Sequence, residues 1–275
     1  MTIFDAIILG IVEGLTEFLP VSSTGHLTIA EKVLGLPIDD DSITAFTAVI
    51  QVGAIAAVLV YFWRDIVRIA KAWFRGLFKP EHRGEFDHRM GWYVIVGSLP
   101  IVIAGYLGRD LVSGPLRSLW WVAGALIGWS AVMVLAERLG SQARPLARMT
   151  MTDAIVMGLF QVLALIPGVS RSGATISAGL FRGLDRVAAT RIAFLLGIPA
   201  LVGAGVYELK DAVGGGVGLA PTLVGTVISF IVAYASVAWL MRFVQHHTIE
   251  LFAIYRVALG LLLIALLATG AMTAT

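Results

Sequence analysis

One stretch of this chain is written twice, and neither copy is long enough or continuous enough to cross a membrane as a single helix. Residues 5–25 read DAIILGIVEGLTEFLPVSSTG, and residues 153–173, 148 positions later, read DAIVMGLFQVLALIPGVSRSG. Without a gap, Asp5 falls on Asp153, Gly10 on Gly158, Glu13 on Gln161, Ser22 on Ser170 and Gly25 on Gly173, with weaker agreement through Gly35/Gly183 and Phe46/Phe194. Each copy offers about 14–15 apolar residues before a Pro/Gly/Ser break, Pro20–Gly25 or Pro167–Gly173, and then a second short apolar run. A spanning helix needs roughly 20. Short, broken segments at matching places in two halves predict re-entrant helical hairpins. Their non-helical backbone survives at membrane depth only if protein or a wet cavity surrounds it.

The rest of the chain supplies ordinary spans. Hydrophobic residues make up 58% of it and charged residues 14%, and the mean hydropathy of +0.89 lies outside the range of soluble domains. Apolar stretches at about 43–63, 91–108, 118–136, 189–208, 221–242 and 250–270 predict six full transmembrane helices. The expected fold is therefore an all-α polytopic membrane protein, a single membrane domain over 1–275 made of two halves at about 1–137 and 150–272. If each hairpin adds no net crossing, each half has three spans. An odd number turns the second half upside-down, giving an inverted-topology repeat.

Loop charge then orients the chain. A basic loop at 64–90 carries Arg64, Arg68, Lys71, Arg75, Lys79, Arg83 and Arg89 and is expected in the cytoplasm, as are Arg138, Arg144 and Arg148. Trp73, Phe74, Leu77 and Phe78 interleave with its charges, so an amphipathic helix on the inner leaflet is a further expectation. The poorly charged loops near 109–117 and 209–220 are expected outside, which opens the first hairpin outward and the second inward. The N-terminus has no basic region or small-residue cleavage site, and does not read as a removable signal peptide. A net charge of +2 gives no case for nucleic acid, and the absence of cysteine excludes thiolate and disulfide chemistry.

The two copies differ where chemistry would need them to. Glu17 and His26 of the first are Leu165 and Ala174 in the second, while Ser23 becomes Arg171. Glu13 and Glu17 stand four apart on one short helix, hence on one face. Two adjacent carboxylates at low dielectric either share a proton or hold a cation, and hard oxygen donors suit Mg²⁺ or Ca²⁺. Ser22, Ser23, Thr24, Ser170, Ser172 and Thr175 line two turns that each feed a helix N-terminus, where an anion is favoured; the alternative is that they only cap those helices. Arg171 brings a planar fork suited to phosphate, or else a structural salt bridge to Glu13 or Glu17. His26 is a candidate base, nucleophile or phosphate contact, whereas His82, His88, His246 and His247 are expected to be solvated. Gln51 and Gln161 are secondary polar residues that would bond exposed backbone in the breaks. Arg182, Arg186 and Arg191 are expected to snorkel at the cytoplasmic interface. Together these groups describe phosphoryl transfer by positioning and charge neutralisation, on a substrate with a lipid tail.

EGLTEFLPVSSTGH (13–26) and PGVSRSGAT (167–175) resemble the two signature motifs of the undecaprenyl-diphosphate phosphatase family of the bacitracin-resistance type. The resemblance implies a multi-pass enzyme of the bacterial inner membrane. It would hydrolyse undecaprenyl diphosphate to undecaprenyl phosphate and inorganic phosphate at a site opening to the periplasm, require Mg²⁺ or Ca²⁺, and confer bacitracin resistance. It places the acidic motif on Glu13 and Glu17, the nucleophile or base on Ser23 and His26, and the phosphate-binding motif on Ser170, Arg171 and Thr175. The sequence leaves open whether serine or histidine attacks, the expectation being Ser23 with His26 assisting. The phosphatidic-acid-phosphatase class needs a later histidine partnered by aspartate; after Arg171 only His246 and His247 remain, with no Asp following. The rival from another class is an inverted-repeat transporter or flippase for polyprenyl phosphate. The sequence leaves the oligomeric state open, a homodimer being one expectation.

Overall fold

The computed structural model describes residues 1–37, 40–108, 118–212 and 217–274. Among them it is all-helical apart from one isolated bridge between Arg144 and Leu184. In chain order the helices are α1 (Ile3–Thr16), α2 (Ser23–Val33), α3 (Asp41–Tyr61), α4 (Trp63–Phe78), α5 (Phe86–Leu107), α6 (Leu119–Leu139), α7 (Met151–Val162), α8 (Arg171–Phe181), α9 (Arg186–Ala212), α10 (Leu219–Phe243) and α11 (Glu250–Ala268). Six of these, α3, α5, α6, α9, α10 and α11, are long and apolar enough to cross a membrane. They carry exposed side chains such as Leu219, Ile231, Ile254 and Leu261 on their outer faces. Water would not tolerate so much exposed apolar surface, and lipid requires it. The protein is a multi-pass membrane protein.

The duplication is visible in local structure. Thr2 and Thr150 each close a capping box with the aspartate three residues on, Asp5 and Asp153. α2 and α8 occupy the same positions 148 residues apart, and Ser22 and Ser170, just before them, have φ of 78° and 74°. The two halves interlock rather than stand apart. α1 of the first copy packs on α10, and α7 of the second packs on α5. Both contacts need glycine: a Cβ on Gly10 would lie 2.6 Å from the Gly225 carbonyl oxygen, and one on Gly158 would lie 2.2 Å from that of Gly97. Between helices in lipid, where the hydrophobic effect drives little, such close backbone approach is a main source of association.

Two expectations need correction. The region 64–90 is not a loop: α4 fills most of it, as the amphipathic-helix expectation had it, and α5 begins at Phe86. Its charges recur every three or four residues, which suppresses hydropathy yet keeps helical period. Asp65, Ile69 and Gly76 face inward while Arg64, Arg68, Lys71 and Arg75 form an exposed stripe. His88 is not solvated either: in the first turns of α5 it is buried against α4, its Nδ1 3.2 Å from the Trp73 carbonyl oxygen. The loop at 109–117 and part of the one at 209–220 lie outside the described residues, so their charge reading has no structural counterpart.

The arginines expected to snorkel are paired instead. Arg182 and Arg144 both bind Asp153, Arg186 binds Glu137, and Arg191 binds Asp65. The Glu137 and Asp65 pairs tie α6 and α4 of the first half to α9 of the second, and Asp153 joins α7 to Arg182 at the end of α8 and to Arg144 between the halves.

Candidate active site

The two breaks meet. α1 ends at Thr16, Glu17 caps it in helical geometry, and the chain turns through Phe18–Val21 before α2 starts. In the second copy a 3-10 turn at Leu163–Leu165 and Gly168, at φ of 100°, lead into α8. A non-glycine residue held at positive φ costs on the order of 1–3 kcal/mol and persists only when its surroundings over-determine it. Here the surroundings are the other turn. The Gly168 amide donates to Ser22 Oγ at 3.2 Å, and Ser172 Oγ donates to the Leu19 carbonyl at 3.1 Å.

Across this junction Glu17 faces Arg171. Arg171 Nη2 donates to Glu17 Oε1 at 3.0 Å, and Ser23 Oγ donates to Glu17 Oε2 at 2.6 Å. One carboxylate thus holds a guanidinium from the second copy and a hydroxyl from its own. Glu17 is 7% exposed, and Glu13, one turn earlier on α1, is 1% exposed. The Arg171 side chain lies against Gly197 of α9, where an added Cβ would sit 1.8 Å from Nη1 and 3.6 Å from Gln161 Oε1. Gly197→Ala therefore displaces the guanidinium. It is expected to lower turnover about 100-fold, the scale of an ångström misplacement, with little change in the amount of folded protein. Kinetics on the purified variant check this, and near-normal turnover would show that the Arg171 position is not critical.

The other candidates fall into place around this centre. His26 is fixed at both ring nitrogens: Nδ1 donates to the Ser22 carbonyl at 2.7 Å, Nε2 shares a hydrogen bond with the Tyr255 hydroxyl at 2.6 Å, and the two rings stack. Neither of these bonds reaches the Ser23 hydroxyl, which is given to Glu17. Ser170 caps α8 through the Gly173 amide at 3.2 Å, and Thr175 Oγ1 donates to the Arg171 carbonyl at 2.8 Å. With Ser22 and Ser172, these hydroxyls brace the turns. Thr24 is exposed and Gln51 is half-buried. Gln161 is fully buried beside Arg171, and its amide has no hydrogen-bond partner, so it does not bond the break backbone as expected.

Three residues at the site escaped the sequence reading: Gly197, Tyr255 and Arg256. Arg256 had a signal, a charge inside a stretch taken as uniformly apolar. It is fully buried. Among the described residues no group of three His, Cys, Asp or Glu could hold a metal. Glu13 and Glu17 supply two carboxylates, and a hard dication needs six or more oxygens. A cation would thus fit here only with oxygens brought by a phosphate ligand and water.

The sequence model described as bacitracin resistance protein BacA matches residues 6–262. The chain is 57% identical over 267 residues to an undecaprenyl-diphosphatase of Acidothermus cellulolyticus, covering 97% of each protein. It is also 57% identical over 271 residues to undecaprenyl-diphosphatase 1 of Streptomyces coelicolor, covering 98% of each. Undecaprenyl-diphosphatase 1 of Frankia alni is 57% identical over 275 residues, covering all of this chain and 99% of that protein.

Proposed function

This chain belongs to the bacitracin resistance protein BacA family, and we infer that it hydrolyses undecaprenyl diphosphate to undecaprenyl phosphate and inorganic phosphate. The activity regenerates the lipid carrier of cell-wall synthesis, and bacitracin resistance is associated with the family. The observation that carries the mechanism is the Ser23–Glu17–Arg171 contact.

Glu17 takes the proton of the Ser23 hydroxyl as Ser23 Oγ attacks the terminal phosphorus. The bond from that phosphorus to the bridging oxygen breaks, and its electron pair leaves with undecaprenyl phosphate. Arg171 moves from the carboxylate to the equatorial oxygens of the transferred group, where its fork stabilises charge. Glu17 passes the Ser23 proton to the departing undecaprenyl phosphate. A water then attacks the phosphoserine and gives a proton to the freed Glu17 carboxylate, which returns it to the Ser23 oxygen. The Ser23 oxygen leaves phosphorus as it takes that proton, and inorganic phosphate departs. The backbone amides at the start of α2, which Ser22 leaves without a side-chain cap, face the same group. His26, held at both ring nitrogens by a carbonyl and a phenol, fixes the start of α2 rather than exchanging the reacting proton. Glu13 and Glu17 would hold Mg²⁺ or Ca²⁺ together with diphosphate oxygens, an ion that supplies charge neutralisation when bound.

The same reading includes the topology. α1–α2 and α7–α8 are re-entrant hairpins, α3, α5 and α6 are the spans of one half, and α9, α10 and α11 those of an inverted second half. The basic stripe of α4 faces the cytoplasm of a bacterial inner membrane, and the first hairpin opens to the periplasm. The matched capping boxes and positive-φ serines support the repeat.

Phosphate release from undecaprenyl diphosphate by the detergent-purified protein tests the function. Release should stop with excess chelator and return with Mg²⁺ or Ca²⁺. A folded protein that releases none under any metal would move the transporter or flippase reading to first place.

A further inference from the structure

Arg256 lies in the second turn of α11, 0% exposed, and none of the ion pairs among the described residues includes it. A charge so placed is costly in a membrane and marks a function by default. What it has instead of a carboxylate is backbone. Nη1 donates to the Pro20 carbonyl at 3.3 Å, and Nη2 to the Gly168 carbonyl at 2.8 Å and the Ala125 carbonyl at 3.4 Å. Nε donates to Ser130 Oγ at 3.3 Å, and that hydroxyl is itself oriented by donating to the Leu126 carbonyl at 2.6 Å.

The choice of carbonyls is specific. Pro20 and Gly168 are the same position in the two copies, 148 residues apart, and no described backbone amide takes either oxygen. Each stands three residues before the group that matters, Ser23 in the first copy and Arg171 in the second. One guanidinium therefore grips equivalent points of both turns with its two terminal nitrogens. α6 anchors it through Ser130 and Ala125. A planar fork can bridge two acceptors at fixed spacing, and a lysine ammonium, as a point charge, cannot.

We propose that Arg256 is a positioning residue for the hydrolysis: it holds the two turns in register and so sets the Ser23–Glu17–Arg171 geometry without touching the substrate. This rests on the mechanism above for its kinetic reading but not for its geometric one. The Pro20 and Gly168 carbonyls would otherwise be unsatisfied at membrane depth, and freeing them lets the turns separate.

The test uses Arg256→Met and Arg256→Lys in the full chain. Because the protein has no cysteine, spin labels can be placed at Val33→Cys and Phe181→Cys. These exposed, equivalent positions lie at the far ends of the helices the two turns feed. Arg256→Met should lower kcat about 100-fold with a smaller change in KM, and should broaden or shift the label-to-label distance distribution. Arg256→Lys should recover little of either. A purely structural role would lower thermal stability and yield, while leaving kcat per folded molecule and the distance distribution unchanged; that result overturns the proposal. Full recovery by lysine also overturns it, because charge alone would then suffice. If the methionine variant does not fold, the lysine variant decides on the same two readouts. If the parent chain itself releases no phosphate, the hydrolytic reading fails and the label distances alone decide whether Arg256 holds the turns.

Discussion

Glu17→Gln should leave a folded protein whose turnover at saturating undecaprenyl diphosphate is lower by roughly 10³, within the span that loss of a general base produces. Glutamine matches glutamate in size, so the turn after α1 need not move. It cannot take the Ser23 proton, and its amide nitrogen turns a donor toward either Ser23 or Arg171, both of which already donate at that point. The loss should appear in kcat more than in KM, since the lost step is made only in the transition state. Steady-state kinetics on the purified variant, with melting temperature as a folding control, measures this. A kcat within a few-fold of the parent would mean that another group takes the proton.

Arg171→Ala should cost a similar factor, about 10³, by removing the cation that meets the charge of the transferred phosphoryl group. It also carries a stability cost that the Glu17 variant does not share to the same degree. With Arg171 gone, the carboxylate of Glu17, its side chain 6% exposed, loses its cation, and breaking a buried pair from one side typically costs about 3–5 kcal/mol. A markedly lower melting temperature together with collapsed turnover is the expected result. Arg171→Lys should restore much of the stability and only part of the rate, because one ammonium cannot match two oxygens as the fork does. Equal rates for lysine and arginine would argue that only charge matters at this position.

How much of this was legible in the sequence depended on whether the signal ran along the chain or across it. The six spans follow from apolar length, and their observed ends lie within a few residues of the expected ones. The break positions follow from proline, glycine and serine, which the matching positive-φ serines bear out. α4 was legible as an amphipathic stretch because its apolar and charged residues keep helical period, but its low mean hydropathy left its extent unmarked, and most of 64–90 was expected as a loop. The site was legible as a set of residue types rather than as contacts. Spacing on α1 put Glu13 beside Glu17 and suggested a shared cation. It could not show that Glu17 faces Arg171, since that contact joins residues 154 apart and depends on how the two copies meet. The same limit kept the sequence from sorting the hydroxyls between capping and binding: Ser22, Ser170, Ser172 and Thr175 brace backbone, while Ser23 is given to the carboxylate. Tyr255 was invisible because its partner, His26, lies 229 residues away. Gly197 matters only for the side chain it lacks.

The central claim is that segments from the two copies form one catalytic unit, with Glu17 and Ser23 from the first and Arg171 from the second. A double-mutant cycle on Glu17→Gln and Arg171→Ala, read as kcat/KM for undecaprenyl diphosphate, tests it most directly. Groups that act as a unit are grossly non-additive, so the double variant should be scarcely slower than the worse single one. Losses that multiply, each variant removing its own factor independently of the other, would contradict the shared site.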